Sequence, residues 1–530
     1  MKVLSLGTDR KLFEENSAVR RRQIEYGKFF DEMHIIVFSR RNSKLARTRP
    51  YRHGRMAQAG GYQISENIFV YPTNSINRFF YIWDAFKVSR RIINNSKLII
   101  QNSVVSCQDP FETGLVGVAI KLFYDLPLHI QIHTDFAHKY FGRDSIINKI
   151  RYDFAEFVLK SADRVRVVSE RIKKSIEGLS KKVDVLPIVV QWNSRGRASV
   201  GTEARPLGVL TVCRLEKEKN LETAIRAFKM VSEKFPEAVF TIVGDGSERK
   251  KLEQLSHNLG LTDKVVFAGW QNDLEKYYNK ANVYISTSLF EGYGMSIVEA
   301  AVNGLPVILS STGLVGDTFK DEDSTLVCDA LDSDCFAKNI LRLFNDQILA
   351  ERISKKAKEE AEKHLLIFGE NYFQKYADSI KATAKDFKSE KFSHRAGIMM
   401  KDFFSSVVYA RFLVCGSIST IIDLVLLYIF IEKFSIWYLH ASALALVTSL
   451  IASFIMQKFL VFRDMKIDGV KWQFSKFTIV LALGLIINTA LVFVCVDIFG
   501  IWYIISQIIA GFFVVIQNFL LYKHFIFNRR

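Results

Sequence analysis

The chain has 530 residues, 49% of them hydrophobic, and a formal charge of +17. That length is too great for one core and predicts three domains. The charge is spread without basic blocks interleaved with exposed aromatics, and without zinc-finger, RNA-binding or helix-turn-helix spacing, so it argues against nucleic acid and for phosphate-bearing ligands or an anionic membrane surface.

In chain order, the N-terminal MKVLSLGTDRK has too short an apolar stretch for a signal peptide, which leaves the part of the chain before the long apolar runs expected in the cytoplasm. The first half alternates strand-like runs (KVLSLG, HIIVFS, KLIIQ, LHIQIH, RVRVVS) with amphipathic helices, a doubly wound α/β pattern assigned to residues 1–192. The polar stretch 193–206, NSRGRASVGTEARP, reads as a linker that cannot pack a core. The same style resumes over 207–380 with GVLTVCRL, AVFTIVGDG, KVVFAGW, VYISTS and LPVILS. Two Rossmann-like domains facing a cleft are expected. Residues 384–410 form a charged connector, either an interfacial segment or an ordinary linker. The six cysteines show no paired motif and read as reduced, buried residues.

Apolar runs at 412–431, 438–456, 477–496 and 501–521 each approach the ~20 residues that cross a ~30 Å hydrocarbon core, predicting four transmembrane helices over 411–530. Arg411 precedes the first run; Lys458, Arg463, Lys466, Lys471 and Lys476 lie between the second and third; Lys523, Arg529 and Arg530 follow the fourth. The positive-inside rule then puts both termini and the middle loop in the cytoplasm, at an inner membrane. Arg411-Phe412 and Ile421-Ile422-Asp423 match Lys476-Phe477 and Ile486-Ile487-Asn488 at a constant offset, so the two hairpins read as parallel repeats. Asp423 and Asn488 occupy equivalent positions inside their runs and form either a shared polar site or ordinary helix–helix hydrogen bonds. Arg-Phe-Leu-Val-x-Gly at 411–416, Asp423 and Asn-Phe-Leu-x-x-Lys-x-Phe-x-Phe at 518–527 resemble the GtrA-like family. That resemblance implies four membrane helices that handle polyprenyl-phosphate-linked sugars.

Chemistry concentrates in the second half. Phe290-Glu291-Gly292-Tyr293-Gly294-Met295-Ser296-Ile297-Val298-Glu299 spans a strand-to-helix turn, where glycines admit a ligand close to the backbone and a helix N-terminus faces a diphosphate. Glu291 would meet the sugar and Glu299 the ribose. Arg214 and Lys219, in the loop after the first strand of this half, are two cations suited to a leaving diphosphate. Gly244-Asp245-Gly246 ends another strand in a tight turn, and on its own is an ordinary turn sequence. In the first half His133 ends a strand and either reaches the cleft or is a core histidine; His138 reads as structural. Arg20, Arg21 and Arg22 either bind an acceptor phosphate or make a solvated helix face.

Arg214…Lys219-Asn220, Gly244-Asp245-Gly246, and Glu291 with Glu299, in this order, resemble the family-4 retaining glycosyltransferases of the GT-B fold, as do Ala162-Asp163-Arg164-Val165 and Ser169-Glu170. The resemblance covers about residues 1–380. It implies His133, Glu291, Arg214 and Lys219 as catalytic residues and Gly7, Gly244, Gly292, Gly294, Met295, Ser296 and Glu299 as donor-binding ones, with no metal and no cofactor, the nucleotide-sugar being a substrate. Two departures stand out: Leu6-Gly7-Thr8-Asp9 replaces a common glycine pair, and Leu186-Pro187-Ile188-Val189 replaces a common Pro-Asn-Gly run. The expectation is an α/β GT-B enzyme followed by an all-α four-helix transmembrane domain, transferring a sugar from a nucleoside diphosphate to a lipid-linked acceptor. The alternative is a transport or scaffold protein whose soluble half only binds nucleotide-sugar.

Overall fold

Runs such as Val3-Leu4 and Ile35-Ile36, apolar at successive positions, suit strands covered on both faces, as parallel sheets are. The computed structural model of the chain describes residues 1–41, 61–96, 98–99, 101–142, 145–180, 182–188, 207–369, 371–467, 469–495 and 503–527. The linker expected at 193–206 lies outside the described residues. The described residues divide into two units, 1–396 and 397–530.

In the first unit, β1 (Lys2–Gly7), β2 (Glu32–Val37), β3 (Tyr62–Ser65), β4 (Ile68–Pro72), β5 (Ser103–Cys107), β6 (Leu128–Ile132), β7 (Arg164–Val167) and β8 (Val183–Val185) form one sheet. Its order is β3-β4-β2-β1-β5-β6-β7-β8, with only β3 antiparallel to its neighbour. A second sheet holds β9 (Gly208–Val212), β10 (Val239–Val243), β11 (Val265–Gly269), β12 (Val283–Ser286), β13 (Val307–Ser310) and β14 (Leu326–Cys328), in the order β11-β10-β9-β12-β13-β14. Strand order reverses between β1 and β5 and again between β9 and β12. At such a reversal the loops leaving the strands turn to opposite faces and open a crevice at the carboxyl ends. Phe228, Phe240, Ile242, Ile285, Phe336 and Ile340 fill the core of the second sheet.

One helix departs from the sequence reading. The sequence pattern bounds the second domain at 380, yet the helix Tyr372–Asp386 packs on the first sheet, its Tyr372, Tyr376, Ala377 and Ile380 buried with Val3, Met33, Ile35 and Val104. Tyr372, Tyr376 and Ile380 recur every four residues, an apolar stripe that fits either sheet, so periodicity alone cannot tell which one it covers. Buried polar bonds fix the choice. Arg166 donates to Tyr372 Oη at 2.9 Å, to Gln131 Oε1 at 2.9 Å and to the Leu186 and Pro187 carbonyls, while Gln131 donates to Tyr376 Oη at 2.9 Å.

The cysteine expectation also changes. Cys328, at the end of β14, and Cys335, on the helix Ser333–Asn345, are joined as a disulfide, their Cα atoms 5.8 Å apart after the chain turns back on itself. Cys107 and Cys415 are buried free thiols, and Cys213 and Cys495 are partly buried.

The second unit is helical. Val408–Glu432, Leu444–Val461 and Val470–Phe493 are long and apolar enough to cross a membrane; a fourth helix, Tyr503–Leu521, follows, apolar over Ile509–Leu521. Residues 496–502, on which the end of the third expected run and the start of the fourth fall, lie outside the described residues. The second and fourth helices each close on a π-helical turn, Met456–Val461 and Tyr522–Ile526. Lys458, counted among the loop charges, is fully buried: it donates to Asp464 at 2.9 Å and to Gln473 at 2.7 Å, since a buried ammonium requires acceptors. Asp423 accepts from Ser449 Oγ at 3.1 Å, which ties the first hairpin together. Asn488 lies partly buried in Val470–Phe493.

Because the helix Tyr372–Asp386 completes the first core, Ile380→Ala should destabilise that domain by about 2–4 kcal/mol. Its unfolding transition, followed by limited proteolysis with temperature, should shift down, whereas Gln374→Ala on the exposed side of the same helix should leave it in place.

Candidate active site

The crevice of the second sheet is built by two loops, one following β9 and one following β12. Asn220 adopts a left-handed conformation (φ 49°), and its side-chain amide donates to the carbonyls of Thr287 and Ala330, locking the first loop to the second. This lock delivers Lys219 to Glu291: Nζ donates to Oε2 at 2.5 Å, and Ser288 Oγ donates to the same oxygen at 3.3 Å. Both side chains are largely shielded, 13% and 19% exposed. Burial alone would push the Lys219 ammonium down, but the Glu291 charge and hydrogen bond outweigh it and hold its pKa above the usual lysine value. The site therefore keeps a fixed cation.

Gly294 ends the motif in a left-handed conformation (φ 86°) and caps the helix Met295–Val302, so the first amides of that helix open into the crevice. Behind it, Tyr284 Oη and Ser296 Oγ are hydrogen-bonded at 2.8 Å, and Tyr278 Oη donates to Glu299 at 2.8 Å. Burial raises the Glu299 carboxyl above its usual range, partly offset by the tyrosine bond. Gly292 is needed for approach: a Cβ there would sit 1.9 Å from the carbonyl oxygen of His133 across the cleft, while Ser169 Oγ donates to the Gly292 carbonyl at 3.0 Å. Gly244 has φ 136°, and its absent Cβ would lie 1.8 Å from the Cys213 carbonyl oxygen; it lets the β10 loop press against the β9 loop.

On the facing side, a cavity of about 380 Å³ lies at the β1/β5 reversal and is lined by Thr8, Asp9, Arg22, Gln108, Asp109, His133 and Met295. Gly7 ends β1 at this reversal, in the space against the Gln108 side chain. Burial and the nearby Arg166 push the His133 imidazole down to about 3, so it is neutral. Burial and the Glu112 charge push Asp109 up to about 6.

The structure thus brings Lys219, Glu291, Gly292, Gly294, Met295 and His133 to one cleft, with Ser296 and Glu299 on the adjoining helix. Arg214 does not join them: its guanidinium is 68% exposed and donates to Glu218 at 3.0 Å. Of the three consecutive arginines, Arg22 lines the cavity and Arg21 is exposed. Ser288, Tyr278, Tyr284 and Asp109 went unread in the sequence. A loop serine two residues after a strand ends, or a tyrosine in a short helix, carries no pattern of its own, and only the strand ends of β5 and β12 pointed toward them.

Residues 4–190 match the family described as Glycosyltransferase Family 4, residues 195–360 that described as Glycosyl transferases group 1, and residues 411–527 the GtrA/DPMS transmembrane domain. The chain is a GT-B glycosyltransferase carrying a GtrA/DPMS membrane domain. Among relatives of this glycosyltransferase, an uncharacterized glycosyltransferase of Methanocaldococcus jannaschii is 28% identical over 48% of the chain and 70% of its own length. The alpha-monoglucosyldiacylglycerol synthase of Streptococcus pneumoniae is 25% identical over 42% of the chain and 55% of its own length. Sucrose-phosphate synthase from Thermosynechococcus elongatus shares the fold, with a TM-score of 0.56 and 20% identity over 71% of the chain and 100% of its own.

The neutral His133 gives this glycosyltransferase a measurable acid sensitivity. Its folded pKa, about 3, lies below the unfolded value of roughly 6.5, so the unfolded chain takes up the proton first and stability is lost as pH falls from 6.5 toward 3. Thermal unfolding at pH 7.5 and pH 5 should show a smaller drop in His133→Asn than in the unaltered chain. Equal drops would mean that the folded imidazole already carries the proton.

Proposed function

We propose that the chain is a retaining transferase that moves a hexose-type unit from a nucleoside diphosphate sugar to a lipid-borne acceptor in cell-envelope glycan synthesis, working at the cytoplasmic face of the membrane. The observation that carries this reading is the shielded Lys219–Glu291 pair beside the Gly294-capped helix, at the strand reversal of the second sheet.

In this reading the donor diphosphate lies against Lys219 and the first amides of Met295–Val302, where fixed positive charge meets the charge that develops on departure. Glu299, steadied by Tyr278, accepts from the ribose hydroxyls, and Glu291, steadied by Lys219 and Ser288, accepts from the sugar. Arg214, held by Glu218 at the rim, swings onto the diphosphate when the donor binds. The acceptor hydroxyl enters through the cavity beside His133, whose neutral ring donates a hydrogen bond. The bond from the sugar C1 to the diphosphate oxygen breaks as the acceptor oxygen bonds to the same face of C1, and the acceptor proton passes to the departing diphosphate. Glu291 is spent on Lys219 and serves as an acceptor of hydrogen bonds, not as a nucleophile. No metal or cofactor enters this scheme. A lipid acceptor is supported by the membrane helices on the same chain, which hold the enzyme at a high effective concentration of anything embedded in the bilayer. The cytoplasmic placement is supported by Arg463, Lys466, Lys471 and Lys476 between the second and third helices.

The test is release of nucleoside diphosphate together with labelled lipid, measured on the full chain in lipid with a panel of uridine- and guanosine-diphosphate sugars and polyprenyl-phosphate acceptors. Glu291→Ala and Lys219→Met should each lower acceptor-dependent release by about 100-fold or more, and Asp423→Asn should leave it unchanged. Full turnover in Glu291→Ala would overturn the assignment of the site. Loss only in Asp423→Asn would favour transport by the bundle.

A further inference from the structure

The outer face of the first domain carries an apolar surface that its own core does not use. Before and along the helix Tyr81–Ser96, Ile76 is 75% exposed, Phe79 94% and Trp83 58%. The buried side of that helix is Ala85, Val88, Ile92 and Ile93, so the sequence places apolar groups on both sides, and only one side has a core to fill. Soluble surfaces rarely expose contiguous apolar patches of this kind without a partner.

The charge around the patch is one-sided. From Ile76 to Asn94 the chain carries Arg78, Lys87, Arg90 and Arg91 against a single acid, Asp84. Lys87, Arg90 and Arg91 are exposed one and two turns beyond Trp83, with the Lys87 ammonium 5.1 Å above the Trp83 ring. The aromatic surface also continues beyond the helix. Phe86 meets Phe123 with ring centroids 5.7 Å apart, and Phe123 meets Phe392 at 6.1 Å. Arg395 fastens this end by donating to the Leu122 carbonyl at 2.9 Å and to Asp125, and the chain enters its first apolar helix at Val408.

We propose that this face, centred on Phe79 and Trp83, docks onto an anionic lipid surface. Phe and Trp are the side chains that partition to the boundary between headgroups and acyl chains, and Lys and Arg beside them attract acidic headgroups. A water-soluble partner would need acids to match Lys87, Arg90 and Arg91 and an apolar pocket for Phe79; a bilayer with acidic lipids presents both at once. The inference does not rest on the proposed transfer reaction.

The experiment places the photoreactive p-benzoylphenylalanine at position 79, and at the control position 348, where Ile348 is 82% exposed on the second domain. The full chain is held one per nanodisc, with either acidic or purely zwitterionic lipid. Photolysis should give lipid adducts at 79 severalfold above those at 348 in acidic lipid. The excess should fall on removal of acidic lipid and in the triple variant Lys87→Glu, Arg90→Glu, Arg91→Glu. Adducts at 79 no more frequent than at 348 would overturn the proposal. Chain-to-chain cross-links at 79 that appear only with two chains per disc, in place of lipid adducts, would overturn it in favour of a self-association surface.

Discussion

A lysine ammonium held in a crevice closed to most solvent is the constraint from which the rest of the catalytic half follows. Lys219 tolerates its burial because Glu291 lies within hydrogen-bond reach and offsets the cost of taking the ammonium out of water. Bringing them together requires the loop after β9 and the loop after β12 to meet, which parallel strands adjacent at an order reversal accomplish. The left-handed turn at Asn220 and the bonds of its amide to Thr287 and Ala330 hold that meeting in place. Gly244 and Gly292 serve the same end by removing the atoms that would keep neighbouring loops apart.

The polar groups surrounding this pair divide into those already held and those left open. Glu299, Ser296 and Ser288 each have a hydrogen-bond partner within the protein, so their orientation is set before any ligand arrives, the condition under which fixed dipoles act without reorganisation. Arg214 is the contrast. It lies at the rim, paired with the nearby Glu218, and an exposed pair of that kind contributes little to stability, so its guanidinium can change partners at small cost.

Much of this was legible in the amino-acid sequence because it is written in local patterns. Apolar runs at strand length gave both sheets, and glutamates eight residues apart across a glycine-rich turn marked the crevice. Long apolar runs marked the membrane unit. What escaped were facts of long range. Tyr372 joins Arg166 across 206 residues of sequence, and an apolar stripe does not say which sheet it covers. Lys458 read as a loop charge because the π-helical turn that buries it beside Asp464 and Gln473 has no sequence mark. Cys328 and Cys335 read as thiols because their proximity depends on a turn between strand and helix. Arg214 was grouped with Lys219 by spacing, although the loop turns one inward and leaves the other at the rim.

The helix Tyr372–Asp386 has a consequence for biosynthesis. Its residues close the core begun by β1, so a domain that leaves the ribosome before the second is also one that cannot finish until the second has been made. Nearly two hundred residues separate β8 from Ile380, and at about 5–20 residues per second that interval lasts roughly 10–40 s. Through that interval the face formed by Val3, Met33, Ile35 and Val104 is without its cover. The nascent chain therefore has a vulnerable period set by translation, which ends just before its first membrane helix is synthesised.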